Sequence, residues 1–82
     1  MNRYILKIDG MRCSMCEIHV NDLIRKNFNV VKVKSSHTKN EVIFLVEDEL
    51  SEEKIKEAFA PSGYKVLKID VEHNAKRKLF GI

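Results

Sequence analysis

No stretch of this 82-residue chain approaches the ~20 consecutive apolar residues that a membrane-spanning helix needs. A signal peptide is lacking too: Met1-Asn2-Arg3-Tyr4 runs straight into alternating sequence, with no apolar h-region behind it. The chain has no linker, no low-complexity tract and no internal repeat beyond two similar halves. Charge of one sign is not concentrated either. The 15 Lys+Arg and 12 Asp+Glu are interleaved and leave a net charge of only +3. The dense basic stripe with stacking aromatics that marks a nucleic-acid binder is therefore missing. There are just two cysteines, so no second pair is present to complete a tetrahedral zinc site. These absences exclude membrane insertion and nucleic-acid binding as expectations. They place the chain in the cytoplasm, with Met1 and the missing linker pointing to an independent chain.

What is present suits one globular domain. Apolar residues make up 44% and charged residues 33%. At this length, folding buries roughly 60% of the extended chain's surface, enough for one compact core. Tyr4-Ile5-Leu6-Lys7-Ile8-Asp9 is β-branched and partly alternating, which predicts a strand that Gly10 breaks. From Ser14 to Asn27 there is no Pro or Gly, and Cys16, Val20, Leu23 and Ile24 recur at helical spacing. Asn27-Phe28-Asn29 ends that helix, with Phe28 packing underneath. Residues 30–34 and 41–46 read as a hairpin around the polar turn 36–40. Ser51 is a good N-cap, and Glu52 and Glu53 suit the first helical turn. The second helix sets Ile55, Ala58 and Phe59 on one face, and Pro61 and Gly63 close it, Gly63 in a left-handed cap. A fourth strand runs from Tyr64 to Val71, with Leu67, Ile69 and Val71 alternating. The order β-α-β-β-α-β predicts an α+β, ferredoxin-like sandwich, with two helices packed on one face of a four-stranded antiparallel sheet. Residues 1–73 form that domain. Residues 74–82 follow as a basic and apolar tail, readable as frayed, folded over the sheet, or a docking element.

Two cysteines three apart in a cytoplasmic chain read as metal or redox chemistry before they read as a structural staple. Cys13 and Cys16 fall at the junction of the first strand and first helix. Unpaired N–H groups and partial positive charge at a helix start stabilise thiolate. Arg12 adds a full charge beside Cys13, and Gly10 gives the chain freedom to turn. Residues three apart on a helix have Cβ atoms about 5–6 Å apart, so both sulfurs can converge on one ion. Two thiolates without further evident ligands suit Cu(I), which selects Cys and Met and accepts low coordination. Zn(II), Cd(II) or Hg(II) are alternatives, with His19 assisting as a third ligand. A thiol–disulfide redox pair is another. Met11 reads as core filling and Met15 as exposed. His37 and His73 read as solvent-facing.

The run Gly10-Met11-x-Cys13-x-x-Cys16, the element order and the Gly63-Tyr64 pair before the last strand resemble the heavy-metal-associated domain. That family includes small copper chaperones and the N-terminal domains of copper-pumping ATPases. The resemblance covers about residues 3–71. It implies that Cys13 and Cys16 ligate the metal, that Met11 supports the loop from the core, and that Tyr64 sits close to the site. It further implies a non-enzymatic metallochaperone, monomeric or bridged by metal into a dimer. Such a carrier passes its ion to a metal-transporting ATPase domain or a metal-responsive regulator, through an intermediate shared by both partners. Arg12 stands where the family often has Thr or Ser, and the tail extends past the family's usual end.

Overall fold

The computed structural model describes residues 2–73; the tail 74–82 lies outside the described residues. Strand β1 (Asn2–Asp9) leads to helix α1 (Ser14–Asn27), then to strands β2 (Val30–Ser36) and β3 (Glu41–Val46). Helix α2 (Glu52–Phe59) runs into a single 3-10 turn, Ala60–Ser62, before strand β4 (Lys65–Glu72). The four strands form one antiparallel sheet in the order β2-β3-β1-β4. This is the expected βαββαβ architecture. The first and last strands end up side by side, so the start of α1 and the start of β4 meet at one end of the sheet.

Period-two alternation decides which side chains reach the core. Tyr4, Leu6 and Ile8 of β1 and Val42, Phe44 and Val46 of β3 are buried, and they pack in one cluster with Val20 and Ile24 of α1 and Ile55 and Phe59 of α2. Phe28, immediately after α1, is buried and stacks on Phe44 with ring centroids 6.0 Å apart, while Tyr4 stacks on the same ring at 5.4 Å. Full burial of each such side chain contributes about 1.5–3 kcal/mol.

The helix ends follow their sequence signals. Ser51 caps α2, its hydroxyl accepting from the Lys54 N–H at 3.2 Å. Gly63 takes the left-handed conformation after the 3-10 turn, with φ +86°. The Ser62 hydroxyl donates to the Phe59 carbonyl at 2.6 Å and accepts from the Tyr64 N–H at 3.2 Å, fixing the backbone just before β4.

Two strand details depart from the sequence expectation. Leu67 is 62% exposed and Val71 40% exposed, so the alternation through Leu67, Ile69 and Val71 is not a buried stripe. For Leu67 the cause is a register slip: Lys7 pairs with Lys68 but Ile8 pairs with Val66, leaving Leu67 as the extra residue of a bulge, whereas Val71 stays in register opposite Tyr4. A second slip between Val30 and Lys32 leaves Val31 as the extra residue on β2.

Tyr4 also serves as a clamp. Its hydroxyl accepts from the Leu50 N–H at 2.7 Å and donates to the Leu50 carbonyl at 3.1 Å, pinning the β3–α2 connection to the sheet. Removing that oxygen strands a partly buried amide, which costs about 1–3 kcal/mol. Tyr4→Phe should therefore lower the urea midpoint by a corresponding amount while the circular dichroism spectrum stays native. An unchanged midpoint would show that the clamp is energetically idle.

Candidate metal centre

The site is built from the β1–α1 loop. Gly10 leaves β1 with φ +109°, a left-handed backbone that side chains rarely adopt. Met11 then turns inward and is only 2% exposed, so it fixes the loop to the core as expected. Cys13 has extended backbone (φ −155°, ψ 174°) and is the N-cap of α1. Its carbonyl receives the N–H groups of Cys16 at 3.1 Å and Glu17 at 3.3 Å. Its side chain makes no capping bond, so the sulfur is not used up in holding the helix. The Cys13 Sγ lies 3.8 Å from the Cys16 Sγ and donates to it. Both cysteines are free thiols, Cys13 exposed and Cys16 half-buried.

Cys16 is the more acidic position. The backbone N–H of Arg12 donates to its sulfur, the Tyr64 hydroxyl does likewise, and together they outweigh partial burial; Cys13 adds a smaller contribution. The result is a fall from the ordinary 9.0 to about 7. Arg12 thus acts through its main chain, whereas the sequence points to its guanidinium. The same bond raises the Tyr64 hydroxyl above its usual range, since losing the proton would leave two facing anions. A Cβ on Gly10 would stand 3.2 Å from the Tyr64 ring, a close approach that seats the ring over the loop. Glycine is favoured there by its φ, and a side chain would also press on the Tyr64 ring.

The neighbouring side chains sort differently from their spacing. His37 is not solvent-facing: its backbone N–H donates to the Glu17 carboxylate at 2.7 Å, and its Nδ1 lies 2.6 Å from the same oxygen. These bonds hold the Glu17 carboxyl below its usual range. They tie the β2–β3 turn to the first turn of α1, directly beside Cys16. The contact spans 20 residues of sequence and has no local signal, because only the hairpin folding beneath α1 brings His37 back. His73 is exposed, its Nδ1 3.3 Å from the Asn2 side chain. His19 is exposed and lines a groove between α1 and α2 with Leu23, Glu57 and Ala58. Among the described residues no group of three or more His, Cys, Asp or Glu side chains is gathered as a metal site. Met15 and Ile18, at 59% and 54% exposure, leave an apolar surface on α1 next to the cysteine loop.

No protein-family model and no curated protein matches the sequence. Solved structures do. The yeast copper transporter domain Ccc2a, determined in apo and Cu(I)-loaded states, is 28% identical, with 83% of this chain and 97% of that one covered and a TM-score of 0.68. Oxidised MerP from Ralstonia metallidurans CH34 is 28% identical over 82% of this chain and 96% of its own, with a TM-score of 0.67. A chain of the Atx1–Cu(I)–Ccc2a complex is 25% identical, covering 92% of this chain and all 100% of that one at a TM-score of 0.68. The structural neighbours are heavy-metal-associated domains. In that heavy-metal-associated fold the cysteine loop of this chain lies at the β1–α1 junction, over the edge of the core that Met11 and Tyr64 define. Among the described residues no helix is long and apolar enough to cross a membrane.

The lowered Cys16 pKa has a definite sign. A group whose folded pKa is depressed contributes stability above its unfolded value, and loses it as pH falls through the folded value. For Cys16 that window runs from 9.0 down to about 7. Alkylation of Cys16 by iodoacetamide, followed at peptide level, should reach half its maximal rate near pH 7. Tyr64→Phe removes one donor and should move that midpoint upward toward 9.0. A midpoint that stays fixed would show that the hydroxyl does not act on the thiol.

Proposed function

We propose that this protein is a soft-metal chaperone that holds one Cu(I) between Cys13 and Cys16 and passes it to a partner by ligand exchange. The observation that carries the reading is the isolated thiol pair: two sulfurs 3.8 Å apart, one of them already acidic, with no gathered third ligand among the described residues. Cu(I) accepts two soft ligands, whereas zinc usually takes four protein ligands, or three and a water. The copper-loaded state named for the 28%-identical Ccc2a domain supports the same choice. Zn(II), Cd(II) and Hg(II) remain alternative cargo for the same thiol pair, and His19 is the histidine nearest to it in sequence that would serve them as a third ligand.

Handover follows from the exposure of Cys13. A thiolate of the partner attacks the ion, three sulfurs share it, and one of the original pair then lets go. No bond to the protein core breaks in this exchange, so the protein acts as carrier and not as enzyme. The fitting partner is a metal-transporting ATPase domain or a metal-responsive regulator, and the existence of an Atx1–Cu(I)–Ccc2a complex supports such pairing between like folds. The protein is monomeric in this reading, with an ion-bridged dimer available when two thiol pairs meet. A reducing cytoplasm keeps the pair open for metal.

Anaerobic titration of reduced protein with Cu(I) and Zn(II), each against a chromophoric chelator, tests the proposal. One tightly held Cu(I) per chain and much weaker zinc are expected. Cys13→Ser or Cys16→Ser should each lower Cu(I) affinity by at least two orders of magnitude with an unchanged fold, while His19→Ala leaves it within threefold. Equal Cu(I) affinity in the double serine variant would sink the proposal. Zinc lost only in His19→Ala would instead assign the site to a zinc-type cargo.

A further inference from the structure

The first turn of α1 carries a carboxylate that the thiol pair does not use. Glu17 follows Cys16 directly, and its N–H reaches the Cys13 carbonyl at 3.3 Å, so it stands one helical turn from Cys13. Side chains three or four apart on a helix are neighbours, with Cβ atoms about 5–6 Å apart. By position, then, Glu17 is as near to Cys13 as Cys16 is. Yet among the described residues Cys13, Cys16 and Glu17 are not gathered into a group that could hold a metal ion.

The contact that turns Glu17 aside is His37. Its main-chain N–H donates to Glu17 Oε2 at 2.7 Å, and its Nδ1 meets the same oxygen at 2.6 Å. An ionised carboxylate only accepts, so that ring nitrogen carries the hydrogen. Bonds to an ionised acceptor are the stronger kind, and this pair is partly buried. The post that holds the carboxylate is itself fixed. The Ile8 N–H of β1 donates to the Asn40 carbonyl at 2.8 Å, fastening the β2–β3 turn to the sheet. One turn further along the same face of α1, Asn21 Oδ1 accepts from the Ser35 hydroxyl at 2.6 Å. Glu17 and Asn21, four apart on the helix, thus meet His37 and Ser35, two apart on the hairpin.

We infer that His37 determines metal specificity: it holds the Glu17 carboxylate against the hairpin and so withholds a third, oxygen ligand from an ion bound by Cys13 and Cys16. The inference rests on the thiol-pair metal site proposed above. Its effect depends on the ion. Zn(II) takes carboxylate oxygen beside thiolate and usually needs three or four protein ligands, so the withheld group lowers its affinity. Cu(I) selects soft sulfur and is served by the pair alone. A tether that only fastened α1 to the hairpin would not distinguish the two ions.

Competition titrations of Cu(I) and Zn(II) on His37→Ala and on His37→Ala/Glu17→Gln test it. Removing the ring leaves the main-chain bond, so release of Glu17 is partial. Zn(II) affinity should rise at least fivefold in His37→Ala and return to within twofold of the parent in the double variant. Cu(I) affinity of His37→Ala should stay within threefold. The carbon-13 signal of the Glu17 carboxyl should move when Zn(II) is added to His37→Ala and hold its position in the unsubstituted protein. A signal that moves in the unsubstituted protein would overturn the inference, even were the variants unable to fold. So would a zinc affinity unchanged or lowered in His37→Ala, a rise that survives Glu17→Gln, or equal changes for both ions, which would leave the contact a structural tether. Failure of the metal-site reading is a separate result: the unsubstituted protein would hold no tight Cu(I), and this inference would fall with it.

Discussion

The approach of the Tyr64 ring to Gly10, so close that a Cβ would intrude at 3.2 Å, joins the two ends of the chain's fold at one point. Gly10 closes β1 and Tyr64 opens β4, and the two strands are neighbours only because the second βαβ half returns β4 alongside β1. Each upstream feature serves that meeting. The Tyr4 clamp on Leu50 sets where α2 begins, the Ser51 cap starts it, and the Ser62 hydroxyl with left-handed Gly63 ends it in register with Tyr64. The Tyr64 hydroxyl then reaches Cys16. A local cysteine motif thus becomes acidic through a contact that exists only in the finished fold.

The means by which the thiolate is stabilised is informative. The donors to Cys16 are a main-chain N–H and a phenol, both neutral, at the positive end of α1. A buried cation in contact would favour the bare thiolate strongly and compete with an incoming ion. Neutral donors favour the thiolate without adding a charge that repels a metal cation. Ligand deprotonation is part of every metal-binding equilibrium at cysteine, and a thiol that titrates near neutrality contributes little proton cost to it. Glu17, held by His37, is the opposing case: a carboxylate beside the site, kept ionised by its own donors and turned toward the hairpin.

Much of this was legible in the residues. Helix α1 from Ser14 to Asn27 and strand β3 from Glu41 to Val46 have the bounds that periodicity and breakers give, because Gly10 and Asn27-Phe28-Asn29 bracket the first and the polar turn opens the second. Met11 in the core and Tyr64 beside the cysteines agree with the family resemblance. What escaped reading is non-local. Leu67 looks like a buried strand residue and is exposed, since the slip that ejects it is a property of the β1–β4 pairing and not of β4. His37 looks like a turn residue and is a tether, since its partner is 20 residues away. Arg12 looks like a charge and acts as an amide.

The two sulfurs are unequal in a way that bears on transfer. Cys16 sits in the first helical turn, half-buried, and is held by the Arg12 amide and Tyr64. Cys13 is outside the helix, exposed, and its sulfur makes no capping bond. Moving Cys16 means disturbing α1 and the Tyr64 contact, whereas the Cys13 side chain can change rotamer at a cost of order 1 kcal/mol. In the proposed carrier the anchored thiolate keeps the ion in register while the free one opens to an entering ligand. Exchange then passes through bond making and breaking at the surface, with the Met11 anchor and the core left in place. A symmetric pair, both held within the helix, would grip as well but would have to deform the fold to let go.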